Sequence, residues 1–186
     1  MSLVFSLFAA VSAQAQTSPS STTLGSRIIY SGGIETGLST GSFNDTHKAN
    51  LGGSIQAAYQ IDQSTYLTLS AGYTDFFGKD KVFNSSQSAA DLHYLPVKLG
   101  LKYFPLLGFY VQGEAGAAFI LNKSDLGYDR AADFVYSPQI GVQFPVSDKS
   151  FIDLGLRYEG TTKYKDDADY SKVNFFGLRV AYAFGL

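Results

Sequence analysis

The sequence predicts an all-β fold, an eight-stranded antiparallel up-and-down transmembrane β-barrel. Three observations carry that expectation. From Arg27 onward apolar and polar residues alternate with period two, and no helical stripe of useful length interrupts them. The connections between the alternating segments are short and long by turns. Mid-strand charges are assigned to one face, opposite a face too apolar to meet water.

Composition agrees with this. Only 16% of residues are charged, with a net charge of −2, where a soluble domain usually carries about a quarter. Aromatic residues reach 15%, all Tyr and Phe, and Gly occurs 19 times, a mixture suited to a lipid-facing sheet with aromatic girdles. A chain of 186 residues has room for one domain of ordinary size. The absence of Cys excludes disulfides and Cys-based metal sites. No basic surplus points to nucleic acid, and no cofactor is expected.

In chain order, residues 1–15 read as a signal peptide. Leu3 to Val11 is an apolar run, too short to cross a bilayer as a helix of about 20 residues, and Ala13-Gln14-Ala15 is a small-x-small cleavage pattern. Cleavage is expected before Gln16. No Lys or Arg precedes the run, which is read as a start placed a few codons late. Residues 16–27 form a flexible leader, Ser/Thr-rich from Thr17 to Gly25. Residues 28–186 form the barrel domain.

The first strand is expected over Ile28–Leu38 and carries Glu35. The second, Lys48–Gln60, sets Leu51, Ile55 and Tyr59 against Asn50, Ser54 and Gln56. The third runs over Thr65–Phe76. In the fourth, Leu92–Tyr103, Leu95, Val97, Leu99 and Leu101 oppose Lys98 and Lys102. The fifth, Phe109–Leu121, places Phe109, Val111 and Phe119 opposite Tyr110, Gln112 and Glu114. The sixth runs over Phe134–Phe144. In the seventh, Phe151–Gly160, Ile152, Leu154, Leu156 and Tyr158 oppose Asp153, Arg157 and Glu159. The eighth, Lys172–Phe184, sets Phe176, Leu178, Val180 and Tyr182 against Arg179. A strand of about eleven residues at ~3.3 Å each, tilted ~40°, rises about 28 Å, enough to cross an apolar band of ~25 Å.

Tight connections are expected at Ile61–Ser64, Pro105–Gly108 and Pro145–Ser150. Long polar ones are expected at Ser39–His47, Phe77–Asp91, Asn122–Asp133 and Thr161–Ser171. Loops sorted by length to opposite ends mark outer-membrane barrels. A soluble lipocalin-like barrel would need Leu99, Val111, Leu154 and Val180 inside. Pro96 and Pro138 each remove a ladder donor within a strand, so a bulge or irregular pairing near the loop end is expected.

Several stretches resemble the small outer-membrane β-barrel family common in Bacteroidetes. They are Tyr94-Leu95-Pro96-Val97-Lys98-Leu99-Gly100-Leu101-Lys102-Tyr103-Phe104, Phe109-Tyr110-Val111, Ala115-Gly116, Ser137-Pro138-Gln139-Ile140-Gly141 and the opening Ser31 to Leu38. The resemblance covers nearly the whole mature chain, and the implied fold is similar to the OmpA transmembrane domain. It implies the cell outer membrane as location, with outer-membrane lipid and the barrel assembly machinery as partners. The C-terminus resembles the family's assembly signal but ends in Leu186 rather than Phe.

The candidate site is a lumen charge network of Glu35, Lys98, Lys102, Glu114, Asp153, Arg157, Glu159 and Arg179. Four acids and four bases balance, and an eight-stranded barrel is only just wide enough to be filled by side chains. The expectation is a charge-plugged structural or surface-interaction barrel with four exposed loops, a monomer open to an extracellular ligand through those loops. The alternative is a narrow channel or porin-like transporter for small solutes. A lipid-modifying enzyme is not expected. His47 is placed in a loop, and His93, a rim residue, lacks a His-x-Ser arrangement. Asp166, Asp167 and Asp169 match no EF-hand pattern and read as a solvated loop. Tyr59, Tyr73, Tyr103, Phe109, Phe144 and Phe184 read as interfacial anchors.

Overall fold

The computed structural model describes residues 27–78, 91–122, 130–162, 164 and 172–185. The signal segment, residues 16–26 of the leader and the Asp166–Asp169 carboxylates lie outside these. Eight strands follow one another: β1 (Ile28–Ser39), β2 (His47–Asp62), β3 (Thr65–Gly78), β4 (Leu92–Leu106), β5 (Phe109–Ile120), β6 (Ala132–Ser147), β7 (Ser150–Thr161) and β8 (Asn174–Gly185). Each pairs antiparallel with the next, and β8 returns to β1, so the sheet closes. Closure leaves no edge strand with unpaired backbone groups.

The strands run one to three residues longer than the alternation suggests at several ends. Three of the connections tighten to two residues: Gln63-Ser64, Leu107-Gly108 and Asp148-Lys149. Gly108 supplies the left-handed backbone its turn needs, at φ +77°. At the other end a 3-10 turn over Gly41–Asp45 follows β1 and tucks Phe43 into the barrel mouth.

Register sorts the side chains. Ile34 sits opposite Gly53 on one side and Val180 on the other, while Glu35 sits opposite Gly52 and Arg179. Apolar positions therefore meet on the outer face and polar ones on the inner. Ile34 and Ile55 are each 68% exposed, and Leu99, Leu101, Val111, Leu178 and Val180 share that surface. Leu154, half-exposed, points the same way, so the lipocalin-like arrangement does not hold.

Outward aromatics form two belts around this aliphatic band. Tyr30, Tyr59, Tyr103, Phe144, Tyr182 and Phe184 lie at the turn end; Tyr73, Phe77, Phe119, Phe134, Tyr136 and Phe176 lie at the loop end. Such belts sit where rings meet lipid head groups.

Pro96 and Pro138 act without a bulge. The β3–β4 ladder is paired at Ala71↔Val97 and again at Thr74↔Tyr94, in constant register, but lapses between, beside Pro96. The β6–β7 ladder lapses in the same way between Tyr136↔Gly160 and Gln139↔Arg157, beside Pro138. Both gaps are near the loop end, where a missing N–H leaves one rung unmade.

One strand charge outside the mid-strand set, Asp75 near the loop end of β3, faces outward, half-exposed between Tyr73 and Phe77, because it shares their parity. One expectation needs correction. His47 is not a loop residue: it opens β2, 1% exposed, stacked on Phe43 with ring centroids 4.6 Å apart.

Candidate functional site: the barrel interior

The strand period brings the eight predicted charges to the inner face. Asp153, Arg157 and Glu159 stand two or four residues apart on β7, and Lys98 and Lys102 stand four apart on β4. Even separations keep them on one side of the sheet. Glu35, Glu114 and Arg179 come from β1, β5 and β8. All eight are 0–6% exposed.

Their contacts run as one chain in which the sign alternates at every step. Glu114 lies 3.8 Å from Lys98, which also binds Glu159. Glu159 lies 3.8 Å from Arg157. Arg157 grips Glu35 with both guanidinium nitrogens, one donating over 3.1 Å to Oε1. Glu35 is 3.4 Å from Arg179 Nε, and Arg179 is 3.8 Å from Asp153. Asp153 ends the chain on Lys102 at 3.3 Å. Each interior member thus touches two opposite charges, the arrangement a dry site requires to offset desolvation.

Neutral side chains add hydrogen bonds to several of these charges, while Glu159 Oε1 and Arg179 Nη1 make none among the described residues. Arg179 donates to Ser54 Oγ at 3.0 Å and Ser31 Oγ at 3.1 Å. Gln56 Nε2 and Thr68 Oγ1 each donate to Glu114 over 3.3 Å. Around Asp153, Tyr110 donates over 2.8 Å and Gln143 over 2.7 Å, while Gln139 donates to Tyr110 over 2.6 Å. Lys102 Nζ stands 4.2 Å over the Tyr110 ring. Space for that ring comes from paired Gly141 and Gly155: a Cβ on Gly141 would lie 2.4 Å from Tyr110 Cζ.

Above and below the charges the interior turns apolar, which alternation alone does not reveal. At the loop end Phe43, Phe76, Leu92, Tyr94, Ile120, Val135, Tyr164, Val173 and Phe175 pack into one buried cluster. Phe76 meets Phe43 and Phe175 edge-on, both at 5.2 Å. At the turn end Ile29, Ala58, Tyr66, Phe151 and Ala183 form a second cluster, with Phe104 against it. The signal was present in the inward parity of Phe76, Tyr94 and Tyr66 at their strand ends, the same positions in a strand where interfacial aromatics are expected.

Between these layers lie two small cavities of about 10 Å³ each, room for roughly one water. Gln56 lines both and stands between them.

Outside the lumen, one polar cluster faces out. His93 Nδ1 lies 2.5 Å from Asp75 Oδ1 and 2.9 Å from Tyr73 Oη. No Ser or Thr hydroxyl bonds His93 among the described residues. Among them, too, no group of three or more His, Asp or Glu could hold a metal ion.

Residues 1–184 match the family described as the outer membrane protein beta-barrel domain. No curated protein matches the sequence. Among solved structures the chain is similar to the outer membrane protein OprG from Pseudomonas aeruginosa, at 11% identity and TM-score 0.53, covering 86% of this chain and 95% of that one. It is similar to Ail, the attachment invasion locus protein of Yersinia pestis, at 18% identity and TM-score 0.52, over 86% and 99% of the two chains. Neisserial surface protein A is similar at 13% identity and TM-score 0.52, over 87% and 98%. Identities this low carry the fold alone.

Proposed function

The chain belongs to the outer membrane β-barrel family, and on that premise we propose that it is a sealed barrel whose task lies in the loops it presents. The observation that carries this reading is the alternating chain of eight buried charges enclosed between two apolar layers. An ion crossing such a barrel must strip its water at the aromatic layer. It must then displace paired charges, and breaking one buried pair costs about 3–5 kcal/mol. Nothing comparable opposes loop binding, so the barrel acts as a rigid mount. It sits as a monomer with its short turns in the periplasm and its long connections at the cell surface. No enzymatic step is assigned to it.

The test is planar-bilayer conductance of the refolded chain from Gln16, after a heat-modifiable gel shift has established folding. The sealed reading expects no steady unitary currents. Currents that change when Lys98 or Arg157 is neutralised would replace it with the narrow-channel reading, the interior charges then acting as selectivity elements.

A further inference from the structure

On the lipid-facing surface of β3–β5 the described residues carry no Lys or Arg and one carboxylate, Asp75. It sits in the loop-end aromatic belt, flanked by exposed Tyr73 and Phe77. A charge facing lipid is disfavoured, least so near the interface. Asp75 is held there by built geometry. His93 Nδ1 shares a hydrogen bond of 2.5 Å with its Oδ1. Tyr73 stacks on the imidazole with centroids 6.2 Å apart and planes 16° from parallel.

The His93 backbone is fixed in turn. Its N–H donates to Asn122 Oδ1 over 3.1 Å, Asn122 Nδ2 donates to the Asp91 carbonyl over 2.7 Å, and Asp91 Oδ1 accepts from the Gly78 N–H over 2.9 Å. Three strand ends are tied around one outward cluster. His93 and Asp75 keep 41% and 38% of their side-chain surface open. Tyr73 shares a side-chain hydrogen bond with the same carboxylate.

We propose that Asp75, His93 and Tyr73 form a binding site for a membrane lipid whose head group bears a primary ammonium. The outward acceptors are the Asp75 carboxylate oxygens, 38% open, beside an aromatic face. A primary ammonium brings a positive charge and three N–H donors to match them, and the Tyr73 ring adds attraction for a cation. A quaternary ammonium has no N–H to give. This site lies on the opposite face of the wall from the lumen charges and does not depend on whether the lumen is sealed.

The experiment reconstitutes the full mature chain into phosphatidylcholine nanodiscs doped with phosphatidylethanolamine, and reads lipid retention by native mass spectrometry. Wild type is expected to retain phosphatidylethanolamine over phosphatidylcholine by about fivefold, the worth of about one net hydrogen bond that the quaternary head group cannot make. Asp75→Asn should abolish the preference, and Asp62→Asn at the turn end should leave it intact. Should Asp75→Asn fold poorly, N-methylated phosphatidylethanolamines test the wild type directly, with retention falling at each lost N–H. Equal retention of both lipids by wild type overturns the proposal, as does a preference that survives Asp75→Asn or full N-methylation. Displacement by soluble ethanolamine at equal concentration would make the site one for free amines and overturn the lipid assignment.

Discussion

Replacing Arg157 by Met is the sharpest probe of the interior. Arg157 is 6% exposed, grips Glu35 with two nitrogens, lies 3.8 Å from Glu159 and rests 5.6 Å from the Phe175 ring. Met keeps most of the stem's packing, so the change isolates the charge. Without the guanidinium, Glu35 retains Arg179 at 3.4 Å as its one cation, beside the Ser54 hydroxyl, and Glu159 retains Lys98 as its one cation. The interior then holds four acids against three bases. Leaving a buried charge undercompensated costs about 3–5 kcal/mol, a large share of a domain stability on the order of 5–15 kcal/mol. Adding Glu35→Gln to Arg157→Met restores neutrality and should recover at least half of that loss. Because the chain has no Trp, unfolding in urea from phospholipid vesicles would be followed by far-UV circular dichroism and the heat-modifiable gel shift. A single variant costing less than about 1 kcal/mol would refute the argument. So would a double variant whose loss equals the sum of the two singles, since charges acting as one chain are coupled.

Three further outcomes follow from other parts of the wall. Leu99→Arg places a cation in the middle of the lipid-facing band and should cost about 2–4 kcal/mol in the same unfolding assay. Gly141→Ala brings a Cβ to 2.4 Å from Tyr110 Cζ and 2.6 Å from the Leu154 carbonyl oxygen, which cannot swing aside. It should destabilise by about 1–3 kcal/mol, whereas Gly32→Ala, with nothing within 4 Å, should stay within about 0.5 kcal/mol of wild type. Pro96→Ala returns a donor beside the lapse in the β3–β4 ladder, and amide hydrogen exchange around Gly72 should slow while the rest of β3 is unchanged.

The architecture was legible because a barrel in lipid imposes period two on every strand, and charges such as Lys98 and Arg157 mark the inner parity without ambiguity. Strand ends were less legible, since Ile61, Asp62 and Pro105 look like turn residues yet lie within strands: Asp62 pairs with Thr65, and Ile61 and Pro105 fall at register shifts beside the turns. The inward aromatics were hidden for a different reason. Phe76 and Tyr94 occupy the strand positions at which lipid-interface aromatics are expected, and only parity separates a ring that caps the lumen from one that anchors in head groups. Asp75 was passed over because its partner, His93, is 18 residues away and meets it only through the β3–β4 register. The pairing order of the interior charges depends on strand stagger, which no single strand's sequence contains.

The two faces of the wall specify the same register for independent reasons. On the outside, slipping β4 and β7 by one residue would turn Lys98, Lys102 and Arg157 toward lipid, at roughly 2–4 kcal/mol for each cation near the midplane. On the inside, the same slip would carry those cations away from Glu114 and Glu35, leaving these buried acids short of partners, and would turn Asp153 and Glu159 of β7 outward along with Arg157. Either loss approaches the whole stability of a domain of this size, and they are paid together. An apolar lumen would secure only the outer half of this argument, because leucines slipped inward would still find apolar neighbours. Buried ion pairs are weak as a source of net stability. Their effect here is to make the alternative registers expensive, so that the wall closes in one way and presents its loops from one fixed set of strand ends.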